Sequence, residues 1–142
     1  SPLSDLLISD LEFIWLGLLN EILSSGKTPV LYSSRGEISF GSIQLRIEFG
    51  LKLAAIMASL VGKVSSRLGY IISKGGITTQ ILIQKGLMLN VVYLKGQIMP
   101  GLSIVLSHDN CDKKQLPIIT FPGNLGDSTT LVQAWKIMES ID

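Results

Sequence analysis

Arg67-Leu-Gly-Tyr-Ile-Ile-Ser-Lys-Gly-Gly-Ile-Thr-Thr-Gln-Ile-Leu-Ile-Gln-Lys-Gly86 decides the fold of this 142-residue chain. The apolar run Leu68 to Ile72 has the length and β-branched content of a buried strand. Ser73-Lys74-Gly75-Gly76 stops it, and Thr78 and Thr79 lead an Ile81-Leu82-Ile83 segment into Gly86, a natural helix C′ residue. A strand, a glycine pair and a threonine-led helix start suit an anion. The first N–H groups of a helix lack intrahelical partners, and the helix dipole adds partial positive charge there. Glycines let a phosphate approach the backbone, and Lys74 and the threonine hydroxyls can add contacts. Standing alone, the stretch also reads as a tight turn with a threonine cap.

Residues 117–131, Pro-Ile-Ile-Thr-Phe-Pro-Gly-Asn-Leu-Gly-Asp-Ser-Thr-Thr-Leu, repeat the grammar. A strand from Ile118 to Phe121 meets a Pro-Gly-Asn-x-Gly loop, and Asp127 or Ser128 caps a helix that runs toward Met138. Two strand–glycine–helix junctions in one α/β domain can lie side by side at the carboxyl edge of a sheet, where such folds bind ligands. Gly96-Gln-Ile-Met-Pro-Gly101 lies between them.

The order Lys74-Gly-Gly-x-Thr78, Gly96-Gln-Ile-x-Pro-Gly101 and Pro122-Gly-Asn-x-Gly-Asp127 resembles the C-terminal, nucleotide-binding domain of the four-carbon acid sugar kinases, over roughly residues 28–139. The resemblance implies an ATP- and Mg²⁺-dependent kinase acting on threonate- or erythronate-like acids. By it, Gly75, Gly76, Thr78 and Thr79 hold phosphates, with Lys74 beside them. Gly123, Asn124 and Gly126 close the other side of the nucleotide. The Ser33-Ser34-Arg35 turn faces the pocket, so that Ser34 and Arg35 join the site and Arg35 can pair with a phosphate; a surface arginine on a turn is the plainer reading. Complete members carry an N-terminal domain for the sugar acid. The chain is therefore expected to be one nucleotide-binding domain, residues 1–142, from the C-terminal part of a longer protein, and inactive by itself. No catalytic base or metal ligand is placed on it.

Two positions depart from the family's commonest form. Ile77 stands where an acid usually follows the glycine pair, and Phe121 where a lysine usually precedes the Pro-Gly-Asn turn. An acid could hold magnesium-associated water and a lysine could neutralise phosphate charge. Lys74, Arg35 and Asp127 are the nearest substitutes. A non-catalytic nucleotide-sensing or assembly module of the same fold is the alternative function.

Composition narrows the remaining classes. Hydrophobic residues make up 46% and charged residues 16%, so the chain has a well-shielded interior or a face normally covered. Charges such as Glu12, Arg46, Glu48 and Lys52 interrupt every apolar run before it reaches membrane-spanning length. A formal charge of +1 without a basic block makes nucleic acid a poor partner. One cysteine, Cys111, permits no internal disulfide and fits the cytoplasm. It shares a polar loop with His108, Asp109 and Asp112, too tightly spaced for usual metal-ligand patterns. Homo-oligomerisation is left open.

The periodicities give the remaining elements. Leu7, Leu11, Ile14, Leu18 and Ile22, with Trp15 and Leu19 widening the stripe, predict a helix over 4–25, ended by Gly26. Val30-Leu31-Tyr32 reads as a short strand. Residues 42–61 alternate like a strand at first, but their length and Ala54-Ala-Ile-Met-Ala58 favour a helix with Ile43, Ile47, Leu51, Ala54 and Ala58 buried. Strands are expected at Leu87–Leu94, Ser103–Leu106 and 117–121, with Gly96–Gly101 as a turn and 107–116 as a loop. A last helix, 128–140, is expected to bury Leu131, Ala134, Trp135 and Met138. The sum is an α/β layered domain with a mixed central sheet flanked by helices.

Overall fold

The strand β4 (Pro117–Phe121) lies at the centre of the molecule. Its side chains alternate between faces, sending Ile118 into one core and Ile119 and Phe121 into another. Pro117, which cannot donate to a ladder, takes the first strand position. The computed structural model describes residues 2–33, 41–108 and 115–141. Around β4 it arranges α1 (Pro2–Ser24), α2 (Ile43–Val64), β1 (Ile71–Lys74), α3 (Gly76–Ile81), β2 (Tyr93–Met99), β3 (Leu102–Leu106) and α4 (Thr130–Glu139). The sheet order is β1-β4-β3-β2. β1 runs parallel to β4, while β4–β3 and β3–β2 are antiparallel, so the sheet is mixed as expected.

Helices cover both faces. Ala134 and Met138 of α4 close one core with Leu102, Ile119 and Phe121. On the other face Ile71, Val105, Leu116 and Ile118 meet Leu82 and the flank of α2 at Val61. α3 does not end at Ile81 but widens into a π-helical turn, Leu82–Gly86, closed by a 2.8 Å bond from Leu87 N–H to the Leu82 carbonyl. Gly86 has a further reason to be glycine. A Cβ there would overlap the Ala58 carbonyl, and a Cβ at Gly62 would overlap the Gly86 carbonyl. Ala54, Ala58 and Gly62 recur every four residues, so α2 presents a small-residue face on which the π turn lies almost backbone to backbone.

α2 is a helix throughout, capped by the Ser42 hydroxyl, which accepts from Leu45 N–H at 3.2 Å. Its alternating start does not pair in a sheet, and the buried stripe begins at Ala54: Ile43, Ile47 and Leu51 are exposed, Ile43 by 80%. α1 ends in a Schellman motif, with Gly26 at φ +76 and Lys27 N–H bonded back to the Ile22 carbonyl. The face it packs on α2 is Trp15, Leu16, Leu19 and Leu23 against Leu60 and Val64. Of the predicted stripe, Trp15 and Leu19 lie in this contact, whereas Leu7, Leu11, Ile14 and Leu18 are exposed. Among the described residues no helix is long and apolar enough to cross a membrane.

Other expectations shift. Val30–Tyr32 joins no ladder, and Val30 and Tyr32 are exposed. Leu87–Val92 is a connection, because the π turn consumes residues that alternation alone assigns to a strand. Gly96–Met99 belongs to β2, with register shifts after Leu94 and after Gln97. Gly96 at φ +145 fits such a bulge, which bends a strand locally. The turn proper is Pro100-Gly101, with φ +83 at Gly101, the residue pair that a type II turn calls for. On α4, Leu131 and Trp135 are partly exposed. The Trp135 indole donates to Thr28 Oγ1 at 3.1 Å, and Glu139 accepts from Thr28 at 3.2 Å and from Tyr70 Oη at 2.5 Å. That network ties the segment after α1 to β1 and α4. Burial and the Glu139 bond push the Tyr70 phenol up to about 12.

Candidate functional site

Parallel pairing of β1 and β4 brings their carboxyl ends together, with Lys74 in register with Phe121. Each strand then turns through glycine into a helix. The two turns touch: Gly75 N–H donates to the Phe121 carbonyl at 2.8 Å, and a Cβ on Gly123 would sit 3.8 Å from Gly75 Cα. Because β3 runs antiparallel to β4, the β2–β3 turn lies on the same edge, and Leu125 packs on Gly101. All three glycine motifs therefore converge on one edge.

Gly75 adopts φ +100, outside the range open to most side chains. It turns the chain from β1 directly into α3, and no side chain caps that helix end. The first N–H groups of α3 are thus left for solvent or a ligand. Nothing lies within 4 Å of a Cβ built on Gly76, so the space beside the backbone is open.

Thr79 behaves differently from the exposed Ile77 and Gln80. It is buried, and its hydroxyl donates to the Gly75 carbonyl at 2.7 Å or shares a 2.8 Å bond with the Ser73 hydroxyl. Ser73 was not singled out in the sequence, although a buried serine one residue before the Lys-Gly-Gly turn has few other uses. The pair clamps the start of α3 to the end of β1. Thr78 is half-buried beside Gly75.

Across the edge, Gly123 and Asn124 are exposed and Gly126 takes φ +80, where a Cβ would overlap Thr130. Neither Asp127 nor Ser128 is the cap the sequence suggested: the N-cap position of α4 is Thr129, without a side-chain cap bond, and Asp127 instead closes an Asx turn just before the helix. Its Oδ1 accepts from Thr129 N–H at 2.8 Å and Thr129 Oγ1 at 2.6 Å, and these bonds hold the carboxyl below its ordinary value. Phe121 is 1% exposed, wholly beneath the edge. The Lys74 ammonium lies 5.1 Å from its ring centroid, a cation–π distance, with the charge still in solvent. Ile77 is exposed in the first turn of α3.

The structure thus brings Lys74, Gly75, Gly76, Thr78, Gly123, Asn124 and Gly126 to one edge, with Thr79 tucked behind it. Ser34 and Arg35 lie outside the described residues. Among the described residues no three His, Cys, Asp or Glu side chains gather as metal ligands. His108 is at the opposite edge, beside a cavity it lines with Ser65, Leu87 and Leu116. Open N–H groups, bare glycines and one lysine fit a polyphosphate. Among the described residues the carboxylate at this edge is Asp127, whose Oδ1 accepts from Thr129; a magnesium ion accompanying a polyphosphate would be held mainly by phosphate oxygens and water.

An α/β domain whose parallel strand pair ends in two apposed glycine turns is of the class that receives ligands at the carboxyl ends of its strands. The model of the nucleotide-binding C-terminal domain family matches residues 14–131. The chain belongs to that family, the C-terminal domain of the four-carbon acid sugar kinases that the three motifs resemble. Two crystal forms of a domain of unknown function (DUF1537) from Bordetella bronchiseptica, described with bound citrate as a domain-swapped dimer, share the fold. One is 14% identical and covers 87% of this chain and 31% of its own, with a TM-score of 0.60. The other is 16% identical and covers 60% and 22%, with a TM-score of 0.51. The chain thus spans less than a third of the length of those chains. No curated protein matches it.

Proposed function

We propose that the glycine edge binds the phosphates of ATP, accompanied by Mg²⁺, and that the chain is the nucleotide-binding part of a cytoplasmic kinase for a four-carbon sugar acid. The observation that carries this reading is the contact between the two glycine turns, Gly75 N–H to the Phe121 carbonyl. It sets two strand–glycine–helix junctions around one patch of open backbone. Gly76 and the first N–H groups of α3 face the phosphates, Lys74 supplies positive charge, and Gly123, Asn124 and Gly126 form the opposite wall. Thr79 acts by holding Gly75 in place. The sugar acid would be held by a part of the protein outside this chain.

The test is Gly76→Val. Since the space beside Gly76 is empty, the added side chain leaves the fold intact and enters only the volume a phosphate would occupy. Calorimetric titration with ATP and ADP should show binding to the parent chain and none to the variant, with an unchanged thermal melt. A folded Gly76→Val chain that binds ATP like the parent would remove this junction from the site.

The departures at Ile77 and Phe121 keep the alternative of a nucleotide-sensing module in view. The placement of the Lys74 ammonium over the Phe121 ring favours the kinase. It leaves a cation at the strand end where the family usually has one, delivered from the neighbouring strand.

A further inference from the structure

We infer that Phe121 is a positioning residue for phosphate binding: its ring holds the Lys74 ammonium at the glycine edge before a ligand arrives. The inference rests on the reading of that edge as a polyphosphate site. Lys74 ends β1 and Phe121 ends β4, and parallel pairing sets them in register. Ile72, Ile119 and Phe121 share the core that α4 closes through Ala134 and Met138. Lys74, two residues after Ile72, projects on that same face. Its ammonium stands 5.1 Å from the ring centroid, where the negative face of the ring attracts it. The ring itself is 1% exposed and fixed by the packing of Leu102 and Ile119 around it. Among the described residues no carboxylate pairs with Lys74. Ordering a free lysine side chain costs rotamer entropy, and a ligand would otherwise bear that cost on binding.

The ring also decides where the charge stands. α3 starts at Gly76 and continues to the opposite face of the sheet, where Leu82 meets Ile71 and Ile118. The second glycine turn leads to α4 on the face of the ring, and its Leu125 packs against the same core. Phe121 therefore keeps the lysine charge beside the second turn, while the open N–H groups of α3 belong to the first. A phosphate chain laid along the edge meets a cation from one side and backbone donors from the other.

Two measurements on the chain test this. Without nucleotide, the Lys74 ε-methylene protons should resonate upfield of ordinary lysine because of the ring current, and Phe121→Leu should abolish that shift. Calorimetric titration with ATP then compares the parent with chains carrying mono-, di- and trifluorophenylalanine at position 121. Ring fluorines drain the negative face and nearly keep the shape. Affinity should fall stepwise, by about two- to fivefold over the series, with little change in the thermal melt. Adenosine binding should not follow the fluorines. In a Lys74→Met background the series should be flat for ATP as well, which a merely structural ring would not produce. Lysine protons at ordinary positions would overturn the proposal, since the ring would then hold nothing. So would an ATP affinity that ignores the fluorines or rises with them, or a loss that persists in the Lys74→Met background. Shifted protons in a parent chain that binds no ATP would instead remove the phosphate reading of the edge, and the role of Phe121 with it.

Discussion

At the scale of single residues, the glycine edge depends on groups that do not touch a ligand as much as on those that can. Thr79 and Ser73 hold Gly75 at φ +100, and Phe121 lies beneath Lys74 as a packed floor. Lys74 is the cation that the geometry offers to phosphate. Lys74→Met should keep the fold, because the ammonium is exposed, and should weaken ATP binding about tenfold or more, since a charged hydrogen bond is worth roughly 1.5–3 kcal/mol. Adenosine, lacking phosphates, should bind both proteins alike in the same titration. Asp127 gives a pH prediction. Its bonds to Thr129 lower its value in the folded state, so the contribution is present above the ordinary carboxylate value of 3.8 and fades as pH falls through the lower folded value. Asp127→Ala should lower the Tm slightly at neutral pH, and the gap from the parent should close in strong acid. A gap that stays constant with pH would mean that the ionised carboxylate does not hold the turn before α4.

At the scale of elements, the packing of α2 on the π turn is where sequence change would be felt most. Backbone meets backbone at Gly62, Ala58 and Gly86. Gly62→Ala should destabilise the chain by at least about 1–3 kcal/mol, the usual cost of overpacking, since the obstacle is a carbonyl and not a flexible side chain. Urea unfolding would show it as a lowered midpoint with little change in slope. Gly50→Ala, on the same helix but with open space around it, serves as the control and should be neutral or slightly stabilising. The sequence made Gly86 legible as a helix terminator but not as a contact, because close approach depends on which helix crosses it. The same limit explains α1 and α2. Periodicity finds every apolar stripe, but Leu7–Leu18 and Leu16–Leu23 are both helical stripes, and only tertiary packing selects the second. The strand reading of Leu87–Val92 failed for a related reason: a π turn leaves no mark in composition.

At the scale of the whole molecule, the candidate site was more legible than the core, because glycine, lysine and threonine in a fixed order carry local backbone requirements. The two strand–glycine–helix junctions could be read as neighbours at the carboxyl edge of a sheet; what could not be read was that the β2–β3 turn shares that edge, which follows from the antiparallel β4–β3 hydrogen bonds. That edge, taken as the phosphate site, still lacks parts of a kinase. Phosphoryl transfer needs the nucleotide held in line and an acceptor hydroxyl with a base or positioner beside it. Among the described residues, Asp127 Oδ1 is engaged by Thr129, and His108 sits at the other end of the sheet. Among the described residues no histidine lies at the edge to accept an acceptor's proton, and the sugar carboxylate is expected to be held by a part of the protein outside this chain. The chain should therefore bind ATP yet show no increase in ADP formation when threonate or erythronate is added, as measured by a coupled assay at saturating nucleotide. Acid-dependent turnover by this chain would place the acceptor site within residues 1–142 and end the division of labour proposed for it. If ATP binds and the acids have no effect, adding the sugar-acid-binding part of the protein should restore turnover. In that assembly Lys74→Met should lower kcat more than it raises KM for the acid, because its charge acts on the phosphates and not on the acceptor.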